Sequence, residues 1–276
     1  MAVTSFIPKI WSARLLEHLD KAHVVANLVN RDYEGEIKAF GDTVNINQIG
    51  DITVKDYTEN SDIEDPEELS TTQKVLTIDK QKYFNFQIDD VDAAQVRTPL
   101  MDSAMQRAAY ALAEATEQVL LEEIDKNATH KVVPEVTLDA TNIYKELVGV
   151  KLKLDKSNVP TVGRFLIISP ETHSLLLQED RFVATGGAMA EGILRNGLVG
   201  TILGFEVYLS NNIDTLTNGN AAIAGTRMAC TFAEQIVQTE AYRMEKRFAD
   251  AVKGLNVFGC KVIQPDALVC LKKTNP

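Results

Sequence analysis

The stretches GDTVNINQIGDITVKDY (residues 41–57) and KVLTIDKQKYFNFQI (residues 74–88) give this chain its most distinctive pattern. In both, polar and apolar side chains alternate with the two-residue period of a β-strand. We expect them to pair as the arms of one long ribbon, a loop that leaves the globular body over residues 34–92. Such a ribbon has one apolar face and nothing of its own to cover it, so it is marginally stable alone. The sequence therefore predicts that another copy of the chain covers this face, with Phe84, Phe86 and Ile88 at the contact.

The segment between the two arms, YTENSDIEDPEELSTTQ (residues 57–73), is strongly acidic. It holds six carboxylates, no Lys or Arg, and a proline at position 66. A calcium loop needs alternating ligands, a central glycine and a distant glutamate, and this pattern is absent both here and in the acidic run 89–92. We therefore expect no metal site, but a solvated tip or one half of a salt bridge to a neighbouring subunit. The predicted contact residues are Glu64, Asp65, Glu67 and Glu68.

The composition is that of an ordinary folded protein and argues against a nucleic-acid-binding surface. Hydrophobic residues make up 45% of the 276 positions and charged residues 24%. The net charge of −11 indicates that the chain can enclose DNA but does not grip it, because phosphate binding relies on clustered Lys and Arg. Three cysteines without a CxxC pair indicate buried free thiols in a reducing cytosol. Neither a signal peptide nor a membrane span is apparent, so we expect a soluble protein with no membrane partner.

The rest of the chain shows helical and mixed α/β patterns. Residues 1–33 predict an extended lead and then an amphipathic helix, with Trp11 on its apolar face. From Thr98 to about Asn127 a long helix is predicted, spanning about 40 Å. The remaining expected helices are 142–153 and 170–178, and the expected strands are 164–169, 204–210, 228–232, 257–263 and 267–271. Residues 184–200 hold five glycines but lack the Lys and Ser or Thr of a phosphate loop, which favours a flexible surface loop.

No catalytic set is recognisable in the sequence. A nucleophilic site needs Ser or Cys with a histidine base, and the four histidines (His18, His23, His130 and His173) accompany no such motif. His18 and His23 are five residues apart, which places them apart around a helix and disfavours a shared metal. We therefore predict no catalytic, cofactor-binding or metal-binding residues. A metal-dependent enzyme that uses the acids at 89–92 is the less favoured alternative.

Four segments, in the same order along the chain, resemble major capsid (coat) proteins of tailed bacteriophages. They are residues 7–57, 82–95, 100–118 and 241–269. The resemblance implies an α+β fold, the tailed-phage capsid fold. Its parts are an N-terminal arm (1–33), an extended β-hairpin loop (34–92), a peripheral domain with a long spine helix (93–135 and 225–276) and an axial domain (136–224).

The resemblance implies a structural role and no enzyme activity. The expected protein is a capsid subunit that self-assembles into pentamers and hexamers, which form an icosahedral shell enclosing the DNA genome. The implied location is the virion capsid, with the host cytoplasm during assembly. The expected partners are other copies of the chain, a portal and a separate scaffolding protein, the last because the arm begins almost at Met1. An encapsulating protein nanocompartment is the alternative, and only its contents distinguish it.

Overall fold

The computed structural model describes most of the chain as an α+β body with a two-stranded ribbon. The described residues are 19, 23–34, 40–49, 52–54, 56–57, 59, 62, 65–68, 70–89, 100–178, 198–214, 216, 219–245 and 248–273. Within them the strands form three sheets, of two, three and six strands. None of the helices found there is both long enough and apolar enough to cross a membrane.

The ribbon consists of β1 (Thr43–Ile49) and β2 (Thr71–Thr77), which pair antiparallel along their whole length. The predicted second arm does not continue in this ribbon. Its second half is a separate strand, β3 (Lys80–Asp89), which pairs with β10 (Ala249–Val262) of the body. The predicted pairing of the two whole arms is therefore wrong. The reason is physical: the alternating pattern of a strand fixes which face is apolar, but not which strand lies beside it.

The body itself covers part of the apolar face of β3. Phe84 and Phe86 pack against a cluster that includes Met105 and Ala109 on the long helix α1 (Leu100–Asn127). Phe84 also lies opposite Gly254 of β10, where a Cβ atom would collide with its ring. The expectation that nothing in the chain covers this face is therefore wrong.

Helix α1 ends at Asn127, as predicted, and its 28 residues give it a length of about 40 Å. Its buried side chains recur every three or four residues, which turns one face towards the body. The arm is only partly described, since Trp11 and His18 lie outside the described residues. Leu19 is helical and buried, but residues Ala26–Leu28 form a 3-10 helix and not the predicted α-helix.

The six-stranded sheet forms the centre of the α/β part. One of its faces packs against helices α2 (Ile143–Lys156) and α3 (Pro170–Leu176), and the other against α1. Because both faces are covered, the strand Arg164–Ile168 is apolar almost throughout. In spatial order the strands are β4 (His130–Val132), β11 (Leu268–Lys272), β8 (Asn220–Thr226), β5 (Arg164–Ile168), β7 (Phe205–Leu209) and β6 (Leu198–Ile202).

The predicted helices and strands of this α/β part are confirmed, and three strands were not predicted. Strands β4 and β8 gave no recognised signal, because β4 is three residues long and β8 (NAAIAGT) is rich in alanine. Strand β6 overlaps the end of the glycine-rich stretch 184–200, which was predicted to be a loop. The C-terminal strands are longer than predicted: β9 (Cys230–Arg243) and β10 extend through most of the charged segment 240–250. Most of the glycine-rich stretch 184–200 lies outside the described residues.

Candidate assembly surface

The outer end of the ribbon is exposed and carries both apolar and acidic side chains. Ile52, Val54 and Tyr57 are 66%, 94% and 71% exposed. Glu67 accepts hydrogen bonds from the backbone N–H and the hydroxyl of Thr53 at 3.1 and 3.3 Å, which links the two sides of this end. Glu64 lies outside the described residues. The tip carboxylates that the structure describes are all exposed, and they are Glu59, Asp62, Asp65, Glu67 and Glu68.

The base of the ribbon, in contrast, is fixed to the body. Val44 and Ile46 of β1 and Leu76 of β2 pack with Ile78 against side chains of β9 and β10. Lys74 adds a polar contact, since its Nζ donates to the carbonyl oxygen of Ile263 at 2.6 Å. A ribbon with a buried base and an exposed end presents its tip in a defined direction.

A second surface lies between β3 and α1. An open groove of about 550 Å³ is lined by Phe84–Ile88 of β3 and by Ser103, Ala104, Arg107 and Ala108 of α1. The rings of Phe84 and Phe86 stack 5.9 Å apart and are only half-buried. The structure thus brings together the three predicted contact residues Phe84, Phe86 and Ile88, and part of their apolar surface remains open.

The arm joins the body at a buried polar cluster that the sequence did not reveal. Glu117 of α1 accepts hydrogen bonds from the N–H groups of Val24 and Val25 at 2.5 and 2.6 Å. On the other side of the arm, His23 Nε2 lies 2.9 Å from Glu234 Oε1, off the line of an ideal hydrogen bond. The arm therefore enters the body between the carboxylates of α1 and β9.

The two carboxyl groups of this cluster differ in their electrostatics. Burial raises the pKa of Glu117, although the hydrogen bonds of the arm and the charge of His23 oppose the rise. Burial acts in the same direction on Glu234, but the close contact with His23 and the charges of His23 and Arg31 hold the pKa of Glu234 below its ordinary value. The sequence held one signal that was not recognised: Glu117 lies on the same face of α1 as buried apolar residues such as Ala113 and Leu121, which indicates a buried carboxylate.

The other residues weighed as chemical candidates hold structural positions. His130 lies in β4 and not in the predicted loop, and its Nε2 is 2.9 Å from the hydroxyl of Ser157. His173 lies on α3, and burial lowers its pKa. Burial raises the pKa of the Cys230 and Cys270 thiols, so both stay protonated at neutral pH. Among the described residues, no three His, Cys, Asp or Glu side chains group as a metal site.

These features together define a class of protein. A rigid α+β body carries an exposed ribbon, an anchored arm and an open apolar groove, all of them elements that contact other proteins. Such an arrangement is typical of a subunit that builds a larger assembly.

Comparisons with known proteins identify the assembly. The family model described as phage capsid protein matches residues 72–271. A structure from Mycobacterium phage Che8 is 30% identical, with 92% of each chain covered and a TM-score of 0.72. The chain therefore belongs to the phage capsid protein family. It has the tailed-phage capsid fold and is a structural subunit of a virion shell built from many copies.

More distant structures share the fold. The capsid structure of the cyanophage P-SCSP1u is 16% identical, covering 94% of this chain and 88% of its own, with a TM-score of 0.68. A virus-like particle from Pyrococcus furiosus is 14% identical, covering 96% and 99%, with a TM-score of 0.59. A search of curated protein sequences gave no match.

Proposed function

We propose that this chain is the major capsid subunit that forms pentamers and hexamers, which close into an icosahedral shell around the DNA genome. The observation that carries the proposal is the ribbon, whose base is buried in the body while its end is exposed. A subunit with this shape can reach over the adjacent copy. Many modest interfaces of this kind, closed into a shell, hold together far more strongly than each does alone.

The contacts between copies fall on three elements. The acidic tip, with Glu64, Asp65, Glu67 and Glu68, forms salt bridges to the next subunit. The part of the β3–α1 groove that remains open, beside Phe84, Phe86 and Ile88, receives apolar side chains of another copy. The arm, with Trp11, anchors to a neighbour.

The acidic charge suits a wall that encloses DNA without holding it. With a net charge of −11, the subunit repels phosphate on average, so packaged DNA stays free to move along the shell. Assembly takes place in the host cytoplasm, with a portal and a separate scaffolding protein as further partners. The role is structural, and we propose no catalytic activity.

An encapsulating protein nanocompartment is the less supported alternative. The similarity to the particle from Pyrococcus furiosus concerns the fold alone, whereas the family match and the 30% identical structure both point to a phage. The contents of purified particles distinguish the two functions. Nuclease-protected DNA in particles from the complete phage supports a capsid, and a packed protein cargo supports a compartment.

Electron microscopy of the purified chain tests the proposal directly. We expect capsomer rings or closed shells, and a persistent monomer in light scattering would contradict it. Deleting residues 59–69, the acidic tip, should leave the body folded by circular dichroism but impair shell formation. Normal shells from this deletion would show that the tip is not an assembly element.

A further inference from the structure

The arm reaches the body beside the open groove between β3 and α1. Glu117 of α1 binds the backbone N–H groups of Val24 and Val25. Earlier in the arm, Leu19 is 1% exposed and packs against an earlier part of α1, around Ala109. Towards its own N-terminus the arm therefore runs along α1 in the direction of the groove, which α1 lines with Ser103, Ala104, Arg107 and Ala108.

Leu19 also joins the arm to the β3 side of the groove. It belongs to the same apolar cluster as Phe84 and Phe86, the two half-buried rings of the groove. Its carbonyl oxygen accepts a hydrogen bond from the N–H of His23 at 3.1 Å, which is the four-residue spacing of an α-helical turn. The segment that enters the cluster thus ends in a helical turn, and the residues before Leu19 lie outside the described part of the chain.

The sequence before Leu19 carries an apolar stripe in phase with it. Leu15 and Trp11 precede Leu19 at the four-residue spacing that keeps side chains on one face of a helix. At about 1.5 Å per residue, a helix that continues back from Leu19 would carry Leu15 about 6 Å and Trp11 about 12 Å further along α1. On α1 itself, Ser103 lies about 9 Å before Ala109. The stripe is therefore long enough to reach from the cluster to the far end of the groove.

The lining of the groove suits an apolar helix with an aromatic side chain. Ala104 and Ala108 are small, so a neighbouring helix can approach α1 closely. Phe84 and Phe86 offer ring surface, against which an indole ring gains both burial and an aromatic contact. Among the described residues that line the groove, Arg107 alone is charged, which favours an apolar occupant over a charged one.

We infer that, in the free subunit, residues 7–18 dock in the β3–α1 groove of their own chain, with Leu15 and Trp11 filling it. The tether through Leu19 favours this over a second copy, because it keeps the segment beside the groove at a high effective concentration. In a shell, where copies are held side by side, a neighbour can take the place of the segment. The contacts between copies proposed above then require this internal contact to open first. That last step rests on the proposed function, whereas the docking itself does not.

Tryptophan fluorescence of the full, dissociated chain tests the docking, because Trp11 is the one tryptophan among the 276 residues. We expect emission at shorter wavelength than in the urea-unfolded chain and several-fold weaker quenching by acrylamide, both unchanged on dilution. A folded chain in which acrylamide reaches Trp11 as readily as in urea would overturn the inference. Burial of Trp11 that develops only as copies associate would also overturn it, since a second copy would then supply the contact.

Charged substitutions in the groove locate the docking site. Ala108→Glu fills the groove and should move the emission and quenching of Trp11 most of the way to those of the unfolded chain. Ser103→Glu, at an exposed position of the groove, should act in the same direction and serves if Ala108→Glu does not fold. Gln106→Glu adds the same charge to α1 outside the groove and is the matched control, which should change neither reading. Equal spectra in all three variants would place Trp11 elsewhere and overturn the inference. A failure to form shells would count against the proposed function and leave these readings unchanged.

Discussion

Carboxylates at two places in this chain, the ribbon tip and the inner face of α1, have opposite surroundings. At the tip, Glu67 and Glu68 are exposed, and among the described residues Glu67 bonds Thr53 across the ribbon. On α1, Glu117 and Asp125 are each 4% exposed and bond groups from several elements. Buried charges require partners within the fold, whereas the tip leaves its charges available for another molecule.

This difference separates folding from assembly. Removing a buried carboxylate should lower the stability of the single chain, and removing an exposed one should affect only contacts between copies. The free energy of unfolding of the dissociated chain measures the first effect, and the yield of assembled shells measures the second.

Replacing Glu117 with alanine should cost the most. Glu117→Ala leaves the N–H groups of Val24 and Val25 without an acceptor and removes a buried charge from beside His23. We expect the free energy of unfolding to fall by about 3 kcal/mol. Urea denaturation followed by circular dichroism measures this loss. The matched control is Glu114→Ala, one turn earlier on the exposed face of α1, which should change stability by less than about 0.5 kcal/mol. Equal losses in the two variants would contradict the comparison.

Replacing Phe84 tests whether the body covers the face of β3. Phe84→Ala removes a half-buried ring from its contact with α1 and Gly254. We expect a loss of about 2 kcal/mol, below the usual range for a fully buried aromatic ring. The neighbouring Tyr83 points to the other face and is 78% exposed, so Tyr83→Ala serves as the control and should cost much less. If both variants unfold alike in urea, the cover of this face lies outside the subunit.

Alkaline pH should destabilise the body through its buried thiols. Burial, followed by the charge of Asp125, raises the pKa of Cys270 from 9.0 to about 12. Between these values the unfolded chain releases the thiol proton and the folded chain retains it, so stability is complete below pH 9.0 and falls as the pH rises. Each buried thiol should contribute about 1.4 kcal/mol per pH unit.

Unfolding free energies measured from pH about 8 to about 10 give this slope. Cys270→Ala removes one titrating group and should flatten the slope by that amount, whatever the variant costs at neutral pH. An unchanged slope would show that Cys270 ionises as readily in the folded chain as in the unfolded one.

Periodicity predicted the elements of this fold but not their partners. Helix α1 and strand β5 were predicted because each is long or apolar enough to be recognised alone. The partner of β3 was not, since Phe84 and Phe86 show the same alternation whether they lie in a free ribbon or on the body. The charged ends of β9 and β10 look like a loop in sequence, although Glu240 and Lys253 pair across the strands at 2.7 Å.

The buried polar clusters escaped prediction for a related reason. Glu117 is 93 residues from Val24, and Asp125 is 147 residues from Lys272. Neither separation leaves a local motif, so these acids resemble the exposed ones beside them. Their phase in the helix is the one available signal, because a carboxylate in line with an apolar stripe needs a buried partner.

Neutralising the tip should have the smallest effect on the fold and a clear effect on the shell. The triple variant Asp65→Asn, Glu67→Gln and Glu68→Gln should change the free energy of unfolding by less than about 0.5 kcal/mol, because exposed charges contribute little within a chain. We expect its assembled fraction, measured by sedimentation, to fall several-fold. The wild-type shell should itself form less readily as salt screens the same contacts.

A control that removes three exposed charges from the body, Glu114→Gln, Glu122→Gln and Glu135→Gln, matches the change in net charge. Equal shell yields from the two triple variants would mean that assembly responds to total charge and not to the tip. A tip variant that is less stable than the wild-type chain would mean that these carboxylates have their partners inside the subunit.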